Sequence, residues 1–114
     1  MTIDTFLITL KNSPSTVSFT DVIKLIDTHY SFTPVTFTNG QLVNNAGTNA
    51  GSCKIFYFAQ MHQLTQQETL HCFGDYYRND VLLHPAETNH ANIRQFIKTG
   101  WQEIHFESTA LHPK

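Results

Sequence analysis

The sequence predicts an α+β fold with about five helices packed on a small antiparallel sheet. Three observations predict this fold. Apolar residues recur at spacings of three and four over several stretches, a β-rich segment surrounds Asn39-Gly40, and apolar and polar residues alternate near the C-terminus. Helices and strands bury residues with different periods, so these patterns separate the two kinds of element. At 114 residues the chain fits one domain, residues 1–114.

The first two helices are predicted from apolar residues that share one helical face. Ile3–Leu10 has this spacing, and the polar and proline-containing residues that follow end the helix. Ser18 then stands three residues before Asp21, which is typical of an N-cap followed by an acidic first turn. A second helix is therefore predicted over about Thr20–Tyr30.

A β-hairpin is predicted over residues 33–44, where β-branched and aromatic residues are frequent. Asn39-Gly40 favours a two-residue type I′ turn. That turn would pair Phe37 with Leu42 and place both side chains on one face of the sheet. The pairing fixes which residues of the hairpin face the core.

Two helices are predicted in the middle of the chain. Ser52 is expected to cap a helix that ends near His62 and is buried on most sides. Thr65 opens a capping box, and the helix it begins is expected to run to about Leu83. Gly74 lies inside that second helix, so we expect another element to approach closely there.

The C-terminal part predicts one more helix and one more strand. The helix spans about His90–Lys98 and ends at Gly100, a residue typical of helix C-termini. Residues 102–107 alternate between apolar and polar side chains. We expect this strand to join the hairpin, because three strands under helices are more stable than two.

The amino-acid composition excludes some classes of binding partner and favours others. The formal net charge is −2 and the seven Lys and Arg residues are scattered, so nucleic acid is not an expected partner. No run of 18 apolar residues predicts a membrane span, and Met1–Leu10 lacks the features of a signal peptide. Two cysteines predict a reducing compartment rather than a disulfide framework. Charged residues are only 14% of the chain, which favours self-association into a homo-oligomer or a neutral partner.

The Gly47–Lys54 segment is the first candidate binding site. Backbone N–H groups at a helix start can bind an anion, and Asn49, Ser52 and Lys54 lie at this start. The spacing differs from that of a phosphate-binding loop, so a tight turn with a capped helix is the alternative. Cys53 is either a thiolate activated by the helix terminus or a buried packing residue.

The second candidate site is the polar and aromatic segment that begins at Asp75 and continues through Tyr76 and Arg78. Arg78 and Arg94 are the only arginines, and together they are able to hold a carboxylate or phosphate by paired hydrogen bonds. The alternative is a solvent-exposed ion pair within one helix, which contributes little stability.

A metal site is the third candidate. His84 and His90 flank a short loop and are candidate ligands for zinc or another ion that binds imidazole. No pair of histidines on one helix has the spacing of a helical metal site. We expect the candidate residues of all three sites to converge on one concave surface, namely Asn49, Ser52, Cys53, Lys54, Asp75, Tyr76, Arg78, His84, His90 and Arg94.

Taken together, several segments resemble the HopJ type III effector family, and the resemblance covers nearly the whole chain. The most distinctive are Phe32-Thr33-Pro34, Asn39-Gly40, Gly51-Ser52-Cys53-Lys54, Cys72-Phe73-Gly74-Asp75-Tyr76-Tyr77-Arg78, Asn92-Ile93-Arg94 and Gly100-Trp101. The resemblance implies a small bacterial protein that type III secretion delivers into host cells. It implies a binding or interaction module with a host or bacterial protein as partner, and it assigns neither a cofactor nor catalytic residues to this chain. The alternative is a bacterial housekeeping enzyme, or an anion- or metal-binding protein, that stays in the cytoplasm.

Overall fold

Helices account for most of the regular structure. The computed structural model describes residues 1–114 and contains five α-helices, namely α1 (Ile3–Asn12), α2 (Phe19–His29), α3 (Ala50–Met61), α4 (Gln66–His71) and α5 (Ala91–Thr99). A π-helix covers Tyr76–Val81, and short 3₁₀ helices cover Pro14–Thr16 and Gly100–Glu103. No helix is long and apolar enough to cross a membrane.

The strands form two small antiparallel sheets. Each strand has three residues, namely β1 (Tyr30–Phe32), β2 (Phe37–Asn39), β3 (Leu42–Asn44), β4 (Ile104–Phe106) and β5 (Leu111–Pro113). The three-stranded sheet has the order β3-β2-β4, and β1 pairs with β5 in a separate sheet. The predicted α+β class is therefore confirmed, including a C-terminal strand that joins the hairpin. The β1–β5 sheet was not predicted, because Tyr30 was assigned to the second helix and Leu111–Pro113 lies beyond the alternating residues 102–107.

The register of the hairpin differs from the predicted one. Phe37 lies opposite Asn44 and Asn39 lies opposite Leu42, so the two turn residues are Gly40 and Gln41. Gly40 has a φ of 59°, which suits the first turn position of a type II′ hairpin. The predicted pairing was wrong because Asn39 is fully buried, where its side chain donates hydrogen bonds to α5. The shift is two residues, so Phe37 and Leu42 still share a face.

The helix predicted from Thr65 to Leu83 is broken near its middle. The capping box at Thr65 and Glu68 is present as predicted, but α4 ends at His71. Gly74 has a φ of 60°, and the chain resumes as the π-helix. A Cβ atom on Gly74 would lie 2.7 Å from the backbone nitrogen of Phe19, which confirms the expected close approach. The break therefore brings the start of α2 directly onto this turn.

Helix α3 lies at the centre of the hydrophobic core, as its wide apolar surface predicts. Its buried residues are Cys53, Ile55, Phe56, Phe58 and Ala59. Phe56 is fully buried among four aromatic rings, those of Phe37, Phe73, Phe96 and Trp101, with centroid distances of 4.9 to 6.4 Å. The core is one cluster of 25 buried residues. This rigid centre fixes where the N-terminus of α3 points.

Candidate functional site

Helices α3 and α5 both begin at one open cleft of about 410 Å³. The residues from the two helix starts that line it are Asn49, Gly51, Ser52, His90, Ala91, Asn92 and Ile93. Aromatic side chains form the rest of the lining, namely Phe19, Phe73 and Tyr76. One cleft thus combines two helix N-termini with an aromatic surface.

Neither helix start is capped by a side chain. Asn49 and His90 are the N-cap residues, and both adopt the left-handed conformation, with φ of 50° and 54°. The predicted cap, Ser52, instead lies in the first turn of α3. Several backbone N–H groups at the two helix starts have no hydrogen-bond partner within the chain, namely those of Ala50, Gly51, Ser52, Ala91 and Asn92. A side-chain cap usually stabilises a helix by about 1 kcal/mol, and α3 and α5 both lack that stabilisation.

A buried cluster of asparagines holds the two helix starts against the hairpin. Asn49 Nδ2 donates to Asn44 Oδ1 at 2.7 Å, and Asn92 Nδ2 donates to the same oxygen at 2.9 Å. Asn39 Nδ2 donates to the Asn92 carbonyl oxygen at 2.9 Å. The side chain of Asn49, which is of a good capping type, is therefore turned towards β3 and away from its own helix. Asn39 Oδ1 is buried without a partner.

The other N-cap side chain, that of His90, is bound to the π-helix. His90 Nε2 lies 2.9 Å from Asp80 Oδ2, and the imidazole ring packs 5.0 Å from the ring of Tyr76. Tyr76 in turn packs edge-on against Phe19 at 5.0 Å. These contacts fix one wall of the cleft.

The electrostatic character of the cleft comes from the backbone. No Lys or Arg lines it. Each helix N-terminus is equivalent to roughly half an elementary positive charge, so two termini together offset about one negative charge. The cleft therefore suits a singly charged anion better than a doubly charged one.

Four of the residues predicted to form a site lie together in this cleft. Asn49 and Ser52 come from the start of α3, Tyr76 from the π-helix and His90 from the start of α5. The structure thus places four of the ten candidate residues on one concave surface. The other six candidates lie elsewhere.

Lys54 and Cys53 are directed away from the cleft. Lys54 Nζ forms an ion pair with Asp27 at 2.9 Å and lies 5.0 Å from the centre of the Phe32 ring. Cys53 is 1% exposed, and burial raises the pKa of its thiol to about 11. Burial therefore outweighs the hydrogen bond with the Val35 backbone and the charge of Lys54, which both lower this pKa, and the structure favours the packing interpretation of Cys53 over the thiolate. Burial likewise raises the pKa of Cys72 to about 12.

Arg78 contacts backbone carbonyls instead of facing the cleft. Its guanidinium donates to the carbonyl oxygen of Pro14 at 3.2 Å, to that of Val17, and to that of His71 at 3.3 Å. Arg78 thus ties the loop between α1 and α2 to the end of α4. Burial, with a further contribution from the charge of Arg78, lowers the pKa of His71.

Arg94 and Asp75 also lie outside the cleft. Arg94 donates to the carbonyl oxygens of Asn89 and His84 at 2.6 and 2.9 Å, and so fixes the loop that precedes α5. Asp75 is exposed at the start of the π-helix. The two arginines therefore do not form the predicted clamp around an anion.

The histidines lack a metal-ligand set. His84 is exposed, and its carbonyl oxygen rather than its ring contacts Arg94. No group of three or more His, Cys, Asp or Glu side chains is arranged to hold a metal ion. The geometry gives the predicted metal site no support.

Six of the ten residues that line the cleft were missed in the sequence, and Phe19, Phe73 and Asn92 are three of them. Phe19 and Phe73 carry only the periodic pattern of core residues, and they reach the cleft because Gly74 brings α2 against the turn. Asn92 is buried, although nothing in its neighbourhood predicts this. The frequent asparagines between residues 39 and 49 were the available signal, since a cluster of amides inside a core must pair with itself.

Comparisons with known proteins give one family model and one solved structure that match nearly the whole chain. The family model described as HopJ type III effector protein matches residues 3–111. A solved structure, described as "Crystal structure of unknown function protein VPA0580", is 47% identical and superposes with a TM-score of 0.98. The alignment covers 100% of this chain and 95% of that one. No curated protein matches the chain.

Proposed function

This chain belongs to the HopJ type III effector protein family, and we propose that it is a small binding module whose ligand carries one carboxylate group. The observation that carries the proposal is the convergence of two uncapped helix N-termini on one cleft. Free N–H groups at helix starts are ready-made donors for anions. The family membership supports an effector-like protein.

The backbone conformation of the two N-cap residues supports this proposal. Non-glycine residues in the left-handed conformation cost of order 1–3 kcal/mol and tend to occur at functional sites. Here both N-cap residues, Asn49 and His90, adopt it, and both side chains bond to other elements. A ligand oxygen would supply the hydrogen bonds that these two caps omit.

Charge and shape favour a carboxylate over a phosphate. Two helix termini offset about one negative charge, and the cleft lining contains no cationic Lys or Arg to balance a second. The aromatic surface of Phe19, Phe73 and Tyr76 would hold an apolar group beside the carboxylate. The ligand is therefore an acidic group next to an apolar one, as at the acidic or C-terminal position of a peptide from a host or bacterial partner protein.

Calorimetric titration with phenylacetate tests this assignment, because the probe joins a carboxylate to a ring. We expect saturable binding of one phenylacetate per chain and no binding of the neutral isostere phenylacetamide. Ala91 is exposed at the first position of α5 and lines the cleft. We expect Ala91→Glu to weaken phenylacetate binding at least tenfold, because its own carboxylate occupies or repels the anion site.

The matched control is Ala91→Gln, which adds nearly the same volume without charge. We expect this variant to bind phenylacetate within about threefold of the parent, a difference of under 1 kcal/mol. Equal binding of phenylacetate and phenylacetamide, or equal losses in both variants, would reject the carboxylate assignment.

The proposed location rests on the family alone. We propose synthesis in the bacterial cytoplasm and delivery into a host cell by type III secretion, and the family description, a type III effector protein, supports the delivery. A binding module that acts on a host protein fits this route.

A further inference from the structure

Three side chains around the cleft match the parts of a hydrolytic site. Ser52 and His90 line the same cleft, and Asp80 lies within hydrogen-bond distance of the His90 ring. A serine nucleophile needs a base, and the base needs a group that orients it. Sequence spacing does not reveal this set, since its members come from α3, the π-helix and the start of α5.

The hydrogen bond with Asp80 determines the tautomer of the neutral His90 ring. Asp80 Oδ2 lies 2.9 Å from Nε2, and an ionised carboxylate only accepts hydrogen bonds. Nε2 therefore carries the proton in the neutral ring, and Nδ1 keeps its lone pair. The adjacent ring of Tyr76 restricts the imidazole further. Nδ1 of His90 and Oγ of Ser52 both lack a hydrogen-bond partner within the chain, since the only side-chain hydrogen bond of His90 is the one at Nε2.

We propose that Ser52 and His90 are catalytic residues that hydrolyse carboxylic esters in the cleft, with Asp80 as the positioning residue of His90. This inference rests on the proposed function, because the product of ester hydrolysis is the carboxylate that the cleft binds. The site requires the Ser52 hydroxyl to come within hydrogen-bond reach of His90 Nδ1 when substrate occupies the cleft. The substrate class is an ester whose acyl group carries an apolar or aromatic body.

The reaction has two balanced steps. In the first, Ser52 Oγ bonds to the ester carbonyl carbon while its proton moves to His90 Nδ1. The bond from that carbon to the alkoxy oxygen then breaks, and the departing alcohol takes the proton from His90. In the second, water gives its proton to His90 and attacks the acyl group. The carboxylic acid leaves as Ser52 Oγ recovers that proton from His90, and the acid then loses its own proton to solvent and becomes the carboxylate.

The helix starts supply the stabilisation that this chemistry needs. Each tetrahedral intermediate places a negative charge on the former carbonyl oxygen. The free N–H groups at the starts of α3 and α5 are fixed donors for that oxygen. Loss of a single such donor in other enzymes lowers the rate by about 10²–10³-fold, so the arrangement is chemically significant.

Reaction with an aryl fluorophosphonate, followed by intact-mass and peptide analysis, tests the assignment. We expect one adduct per chain, located on Ser52, and turnover of phenyl phenylacetate by the untreated protein. Ser52→Ala is expected to abolish the adduct, and His90→Ala to slow its formation at least 100-fold. Ser15→Ala removes an exposed serine outside the cleft and serves as the control with unchanged labelling.

The positioning role of Asp80 is tested by two substitutions, one that removes its carboxylate and one that keeps a carboxylate. We expect Asp80→Asn to slow adduct formation about 10²–10⁴-fold, because the amide no longer selects the reactive form of the imidazole. Asp80→Glu, which keeps a carboxylate, is expected to recover the rate to within tenfold of the parent. Equal rates in these two variants would overturn the positioning role.

Failure of this inference is distinguishable from failure of the proposed function. A parent protein that binds phenylacetate but gives no Ser52 adduct and no ester turnover overturns hydrolysis and leaves the binding module intact. An adduct on another serine also overturns it. A protein that fails to bind phenylacetate contradicts the proposed function itself.

Discussion

Replacing Gly74 by alanine is expected to lower the free energy of unfolding by about 2–5 kcal/mol, because two costs add. The first is the left-handed backbone, since Gly74 has a φ of 60°. The second is a collision, because the new Cβ would lie 2.7 Å from the backbone nitrogen of Phe19 and 3.3 Å from Ser18. Neither atom belongs to a flexible side chain, so the start of α2 must move. Urea unfolding monitored by circular dichroism measures the loss.

Gly47→Ala is the matched control for this substitution. Gly47 also has a positive φ, 90°, but no atom lies within 4 Å of its added Cβ. We expect it to cost only the conformational part, about 1–2 kcal/mol. Equal losses of unfolding free energy at the two glycines would mean that the close approach of α2 to the turn adds nothing to the cost of Gly74→Ala.

Replacing Phe56 by alanine is expected to destabilise the chain by about 3–5 kcal/mol, the usual cost of deleting a fully buried aromatic ring. Phe56 is 0% exposed and packs against rings from β2, from the segment after α4, and from α5. The cavity would therefore lie where these elements meet, and few of them are able to relax into it. Thermal and urea unfolding measure the change.

Ile8→Ala provides the comparison for Phe56. Ile8 is 60% exposed on α1, so its truncation is expected to change stability by less than about 0.5 kcal/mol. A loss of similar size for both variants would contradict the assignment of α3 as the centre of the core.

Local patterns in the sequence predicted the helices well because the structure agrees with local propensity there. The capping box at Thr65 and the end of α5 at Gly100 both occur as predicted. The break at Gly74 was missed because the apolar stripe continues past it, and only the contact with α2 explains the change of direction. The hairpin register was missed for a similar reason, since the buried amide of Asn39 determines which residues form the turn.

The candidate site was predicted in part. Asn49 and Ser52 became candidates because a helix start carries a recognisable sequence signal, whereas His90 became one only as a candidate metal ligand beside a loop. The arginines were predicted to bind a ligand, because nothing in the sequence indicates that their N–H groups donate to backbone carbonyl oxygens. Whether a charged side chain faces solvent, a ligand or the backbone of a distant loop depends on tertiary contacts, and those contacts are not periodic.

The amide resonances of a ¹⁵N-labelled sample titrated with phenylacetate test the central claim most directly. Binding at the paired helix starts is expected to shift one group of signals the most, namely those of Ala50, Gly51, Ser52, Ala91 and Asn92. Phenylacetamide is expected to leave these signals in place. Shifts concentrated around Arg78 or Arg94, or no saturable shift at either helix start, would contradict a carboxylate site in this cleft.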